Sequence, residues 1–253
     1  MSGAGEFSVL PIPGIPEVTE GFDLGAAIAA GAELTDEDVV AISQKPVSKA
    51  EGRVVELATV TPGTAAETLA AELGKDPRLV ELILAESRAV VRTDPGRSIL
   101  ITETVHGFVC ANSGIDTSNL SGGEAALLLP EDSDRSARRI RAEIEAAAGV
   151  RPAVLITDSF GRAWRLGQSE VAIGCAGIDP LDDWRGRTDR AGMTLAATNI
   201  AVADQIAAAA DLARTKTSGT PAVRLRGLGR FVRTEDGGGC RGQLRAPEDD
   251  LFR

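Results

Sequence analysis

The most constraining feature of this chain is a pair of apolar segments with almost nothing between them. Ser98–Glu103 (SILITE) and Gly107–Ala111 (GFVCA) both have the composition of strands, and three residues separate them. A parallel crossover needs a dozen or more residues, so strands this close in sequence pair as an antiparallel hairpin. A regular doubly wound α/β sheet places a helix between successive strands. The hairpin therefore points to an α+β fold with mixed, largely antiparallel sheets.

Other strands are expected in EFSVLPI (6–12), at Asp38–Ser43, Arg53–Leu57 and Glu124–Pro130, and in AVLIT, EVAIGCAG and PAVRLRG. Asp23 is placed to cap a helix over Leu24–Ala30. Thr64 and Glu67 have capping-box spacing at the head of an alanine-rich helix ending near Leu73, and another helix covers about Pro77–Glu86. Ser133 or Ser136 opens a helix whose Ile140 and Ile144 share a face and which Gly149 ends. A further alanine-rich helix is expected from about Thr198 to Ala213. No repeat or linker interrupts the chain, so residues 1–253 are expected to form a single domain.

Composition narrows the function. The net charge of -10 excludes broad binding to nucleic-acid backbones, although a few local cations suffice for a small anion. No apolar run approaches the roughly 20 residues that cross a bilayer, and the N-terminus has no basic, signal-like segment. A cytoplasmic protein with no membrane partner is expected. Cys110, Cys175 and Cys240 form no CxxC pair, and their odd number fits reduced thiols. With His106 as the only histidine and no tyrosine, a histidine triad or poly-histidine metal site is excluded. Any metal must be held by oxygen, which suits Mg²⁺ or Mn²⁺.

Three strand-end stretches carry candidate chemistry. In SQKPVSKAEGR, Lys45, Lys49 and Arg53 fall in one short loop between two strands. Such a cluster either cradles phosphate or is a solvated charged loop. In NSGIDTSN, Asp116 sits among small hydrogen-bonding residues, as in a metal-binding loop or an ordinary turn. In TDSFGRAWR the apolar run stops at Asp158 and Ser159, which offer oxygens to a cation, with Arg162 and Arg165 within reach of a phosphate. A plain strand-to-turn boundary is the alternative. No GxxxxGK[ST] loop is present, GGGC near Gly237 reads as a loop, and His106 reads as structural.

The segments LPIPGIPEVTEGFDL, VSKAEGR, NSGIDTSN, ITDSFGR, AVADQIAAAADL and VRLRGLG occur in this order. Together they resemble the coenzyme F420-0:L-glutamate ligase family, over nearly the whole chain from about Val9. The resemblance implies two intertwined α+β subdomains, a stand-alone ligase and a homodimer. It implies GTP as co-substrate, Mg²⁺ or Mn²⁺ as cofactor, and coenzyme F420-0 and L-glutamate as the other substrates. By motif, Pro13, Gly14, Ile15, Pro16, Gln44, Lys45, Lys49 and Asn119 would contact the nucleotide. Asp116, Asp158 and Ser159 would bind metal, with threonine common in relatives at Ser159. One position departs from the pattern. Lys216, in RTKTSGTP, stands where many relatives carry Glu or Gln toward a second metal, and a protonated ammonium is no ligand.

The implied reaction activates a carboxylate as an acyl phosphate, which an amine then attacks. Such chemistry needs cations and alignment more than a protein nucleophile. Another metal-dependent phosphoryl-transfer enzyme or amide ligase on the same scaffold, with a different acceptor, is the alternative. A non-catalytic nucleotide-binding module is disfavoured, because binding alone seldom needs both Asp116 and Asp158.

Overall fold

A computed structural model describes residues 6–117, 124–214 and 219–251. The first half contains β1 (Ser8–Pro11), α1 (Leu24–Gly31), β2 (Val39–Ser43), α2 (Gln44–Ala50), β3 (Val54–Glu56), α3 (Thr64–Leu73), α4 (Pro77–Ala85), β4 (Ser87–Asp94), β5 (Ile99–Thr104) and β6 (Val109–Ala111). The second half contains β7 (Ala125–Leu127), α5 (Ser133–Ala148), β8 (Ala153–Arg162), β9 (Arg165–Ala176), β10 (Asp182–Asp183), β11 (Asn199–Ile200), α6 (Val202–Asp211) and β12 (Ala222–Arg226). The mixture is α+β, and antiparallel pairs predominate.

The central sheet has the order β1-β12-β2-β8-β9, and only β2 and β8 run parallel. Its period-two alternation explains the continuous apolar runs in the sequence. Val40, Ile42, Val154 and Ile156 face a core shared with Leu24 and Ile28 of α1 and Ile140 and Ile144 of α5. Val39, Ala41, Leu155 and Val223 face the opposite way, onto Ala203, Ile206 and Ala207 of α6. A second core contains Leu57, Leu73, Ile83, Leu100 and Leu128. It belongs to the chain between α2 and α5, where β3 pairs with β7 and β4, β5 and β6 form a three-stranded sheet. The chain leaves the first core after α2 and returns to it at α5.

The hairpin is present, with Thr102 opposite Cys110. Asp23 caps α1 through the Ala26 amide, and Gly149 ends α5 at φ 70°. Several expectations are corrected. The cap of α3 is Gly63, not Thr64, and the Gly63 amide is held by Glu81 of α4. Helix α5 does open at Ser133, as expected, and Asp132 caps it through the Arg135 amide. The last helix begins at Val202 rather than Thr198, because Asn199 and Ile200 pair with β10. Strand β4 was not expected, since Arg88 to Thr93 are exposed and no buried face leaves an alternating pattern.

Helices α1 and α5 approach so closely that a Cβ on Gly25 would lie 2.2 Å from Glu143 Cβ and 2.9 Å from the Ile140 carbonyl oxygen. Those neighbours are packed helix, so they cannot yield without separating the pair. Gly25→Ala is expected to destabilise the fold by about 1–3 kcal/mol, the usual range for overpacking. Urea denaturation checks this, and an unchanged midpoint would contradict it.

Candidate active site

A cleft of about 690 Å³ opens where β2 and β8 pass beyond the apolar part of the central sheet. One wall is α2. The segment predicted as a loop is helical, and Pro46 is tolerated there because it sits in the first turn, where its missing N–H costs nothing. Lys45 and Lys49 are four residues apart, so they share the face toward the cleft. Gln44 and Ser48 share the inner face, where the Ser48 hydroxyl donates to the Gln44 amide oxygen at 2.8 Å. Arg53 leaves this group and pairs with Glu86 at 2.9 Å.

The second wall follows β6. Asn112, Ser113 and Gly114 take φ of 51°, 54° and 70°, a left-handed run that two non-glycine residues adopt only if held there. Buried Ser113 holds it: its hydroxyl contacts those of Ser87 at 2.6 Å and Thr102 at 2.8 Å, and its amide donates to Thr102 Oγ1. The turn delivers Asp116, whose backbone bridges to Leu127 and whose carboxylate pairs with Lys45 at 2.6 Å. Lys49 pairs with Glu17.

The floor is β8, which does not end at Thr157 as predicted. It continues to Arg162, with a bulge opposite: Ile156 pairs with Gly174 but Thr157 with Ala172, leaving Ile173 extra. Bulges re-aim the side chains that follow, and they recur beside active sites. Successive strand residues point to opposite faces, so Asp158 and Ser159 leave β8 on opposite sides. Ser159 Oγ donates to Glu170 Oε1 of β9. Glu170 Oε2 accepts from Arg214 Nη2 at 3.2 Å, and the same guanidinium reaches Thr157 Oγ1 at 3.0 Å and the Pro221 carbonyl at 3.2 Å. Both side chains are buried, Arg214 at 7% exposure and Glu170 at 6%.

Among the described residues, five carboxylates (Glu17, Asp116, Asp158, Glu170 and Asp211) and three cations (Lys45, Lys49 and Arg214) line the cleft. Burial pushes the Asp158 carboxyl up to about 7, and the charges of Glu170 and Asp116 add to this against a backbone hydrogen bond and Lys45. An oxygen-rich cleft with surplus negative charge fits a hard divalent cation at Asp116 and Asp158. Burial, with the Asp158 charge second, pushes the Cys110 thiol up to about 12, so it is no nucleophile.

Pro16, Lys45, Lys49, Asp116, Asp158 and Ser159 thus come together in one cleft. Pro13, Gly14, Ile15 and Gln44 do not line it, and the Gln44 side chain is buried on the inner face of α2. Asn119 and Lys216 lie outside the described residues. Arg162 bonds the Leu166 and Gly167 carbonyls at the β8–β9 hairpin tip, and neither it nor Arg165 lines the cleft. Sequence reasoning missed Glu170 and Arg214. The family model for F420-0:gamma-glutamyl ligase matches residues 14–227. The chain belongs to that family. It is 43% identical over 255 residues to the coenzyme F420:L-glutamate ligase of Methanopyrus kandleri, covering 100% of both chains. It is 41% identical over 252 residues to that of Methanothermobacter thermautotrophicus, covering 97% of this chain and 98% of the relative. With the Halobacterium salinarum enzyme of the same name it shares 45% identity over 222 residues, 85% of each chain. Family membership makes it a ligase, and its cleft is the place to look for the chemistry.

Proposed function

We propose that this protein is a GTP-dependent ligase that joins L-glutamate to the lactyl carboxylate of coenzyme F420-0. The γ-phosphoryl group of GTP passes to that carboxylate, giving an acyl phosphate and GDP. The glutamate α-amine then attacks the acyl carbon, forming the amide and releasing phosphate. The observation that carries this reading is the family match, which spans the cleft-lining residues from Pro16 to Pro221.

Lys45 and Lys49 are the groups for the phosphates. Each is held by a carboxylate, Asp116 and Glu17, so nucleotide binding exchanges an internal ion pair for a phosphate contact. Pro16 borders the same space, with Pro13, Gly14, Ile15 and Asn119 as further proposed nucleotide contacts. Gln44, buried and bonded to Ser48, supports Lys45 and Lys49 from the inner face of α2 rather than touching the nucleotide through its side chain. Asp116 and Asp158 would hold Mg²⁺ or Mn²⁺, which supplies charge neutralisation and alignment for phosphoryl transfer, whereas Ser159, expected from the sequence as a third ligand, is turned to Glu170 instead. No side chain acts as a covalent nucleophile, in keeping with a single histidine and a Cys110 held as thiol. The protein is read as a cytoplasmic homodimer, and light scattering tests the oligomeric part.

The deciding experiment measures phosphate release from GTP. Release that requires both coenzyme F420-0 and L-glutamate supports the ligase. Release with another acceptor, or without glutamate, favours a different phosphoryl-transfer enzyme on the same scaffold. Lys49→Met is expected to weaken GTP binding by roughly 10- to 100-fold, the range for a lost charged hydrogen bond. GMP binding should weaken much less. Equal losses by calorimetry would place Lys49 away from the outer phosphates.

A further inference from the structure

The cleft has two carboxylate-bearing sides that differ in how their charge is met. On one side Asp158 faces Asp116, and Lys45 is bound to Asp116. Among the described residues no lysine or arginine forms an ion pair with Asp158. On the other side Glu170 has both oxygens engaged: Oε1 accepts from Ser159 Oγ, and Oε2 accepts from Arg214. That guanidinium is fixed, because it also bonds Thr157 Oγ1 of β8 and the Pro221 carbonyl before β12. A divalent ion approaching Glu170 would have to displace Ser159 or Arg214, and it would meet a buried like charge in doing so.

The geometry points to a cleft that takes one divalent cation, on the Asp116–Asp158 side, and carries its second positive charge permanently as Arg214. This rests on the cation reading given above. Arg214 then does the work of an ion on the Ser159–Glu170 side: it neutralises Glu170, keeps that carboxylate on the Ser159 hydroxyl, and denies the position to metal. The consequence is a stoichiometry. With GDP present, the protein should bind one Mn²⁺ per chain, and removing the guanidinium should open a second position at Glu170.

The test counts bound Mn²⁺ by electron paramagnetic resonance, with GDP, in the full chain. Wild type is expected to bind one ion, Arg214→Met two, and Arg214→Met/Glu170→Gln one again. Asp158→Asn should weaken the first ion at least tenfold. Two ions of comparable affinity in wild type would overturn the inference, and so would a single ion in Arg214→Met. A wild type that binds no Mn²⁺ at all would instead remove the cation reading itself, and the inference with it. Arg214→Met leaves Glu170 buried without its partner, so its folding is expected to become Mn²⁺-dependent. If it stays unfolded at millimolar Mn²⁺ while the double variant folds, an ion cannot replace the guanidinium and the inference fails.

Discussion

Asp158→Asn is expected to lower phosphate release from GTP by at least about a hundredfold and, at the same time, to raise the melting temperature of the ligand-free protein at pH 8. The two effects have one cause. The carboxyl is pushed from 3.8 to about 7, mainly by burial, so its ionised form is costly in the folded state. An amide of the same shape carries no such cost. Removing even about 1 kcal/mol of it would raise the melting temperature by roughly 2–4 °C in a chain of this size. The loss of activity follows because an amide is a poorer cation ligand than a carboxylate, and lesser changes around a metal already cost about 10–100-fold. A residue kept for function at the expense of stability gives this opposed pair of results. A residue that merely ends a strand would not. Wild-type turnover at low millimolar Mg²⁺ in a folded Asn variant would remove Asp158 from the cation site. A lower melting temperature at pH 8 would show that its charge is compensated in the folded protein.

How far the site could be read from the sequence depended on whether a residue's role is local. Asp158 and Ser159 stood out because they interrupt an apolar run, and that signal survives although the strand continues past them. Lys45 and Lys49 were legible by charge, but their shared direction was not, because Pro46 disguised a first helical turn as a loop. Glu170 was invisible for a different reason. It occupies an ordinary polar position in a strand, and it meets Ser159 only through a long-range register with a bulge at Ile173. Arg214 follows a helix end, where a cation usually complements the helix dipole. Its burial against Glu170 depends on strands about 40 to 60 residues away in sequence. The fold divides in the same way. Strands buried on both faces, such as β2 and β8, were clear. Exposed β4, which has no buried face, was not.

Cation affinity is expected to fall about tenfold between pH 8 and pH 6. A proton and a cation compete for Asp158, and a carboxyl at about 7 is nearly all ionised at pH 8 and only about one-tenth ionised at pH 6. The sign follows from the direction of the shift. A carboxyl raised in the folded state takes up a proton that the unfolded chain does not hold between its ordinary value of 3.8 and about 7. The ligand-free protein therefore loses stability as pH rises through that window, the reverse of a salt-bridged carboxylate. Above it, a bound cation supplies the missing positive charge, so the stabilisation conferred by Mn²⁺ should grow with pH. Mn²⁺ titrations at pH 6, 7 and 8, with proton release followed at pH 6, check both parts. About one proton should leave per ion bound at pH 6, and almost none at pH 8. Equal affinities across the range, with no proton released, would mean that Asp158 is ionised throughout and that the cleft already balances its charge without a metal.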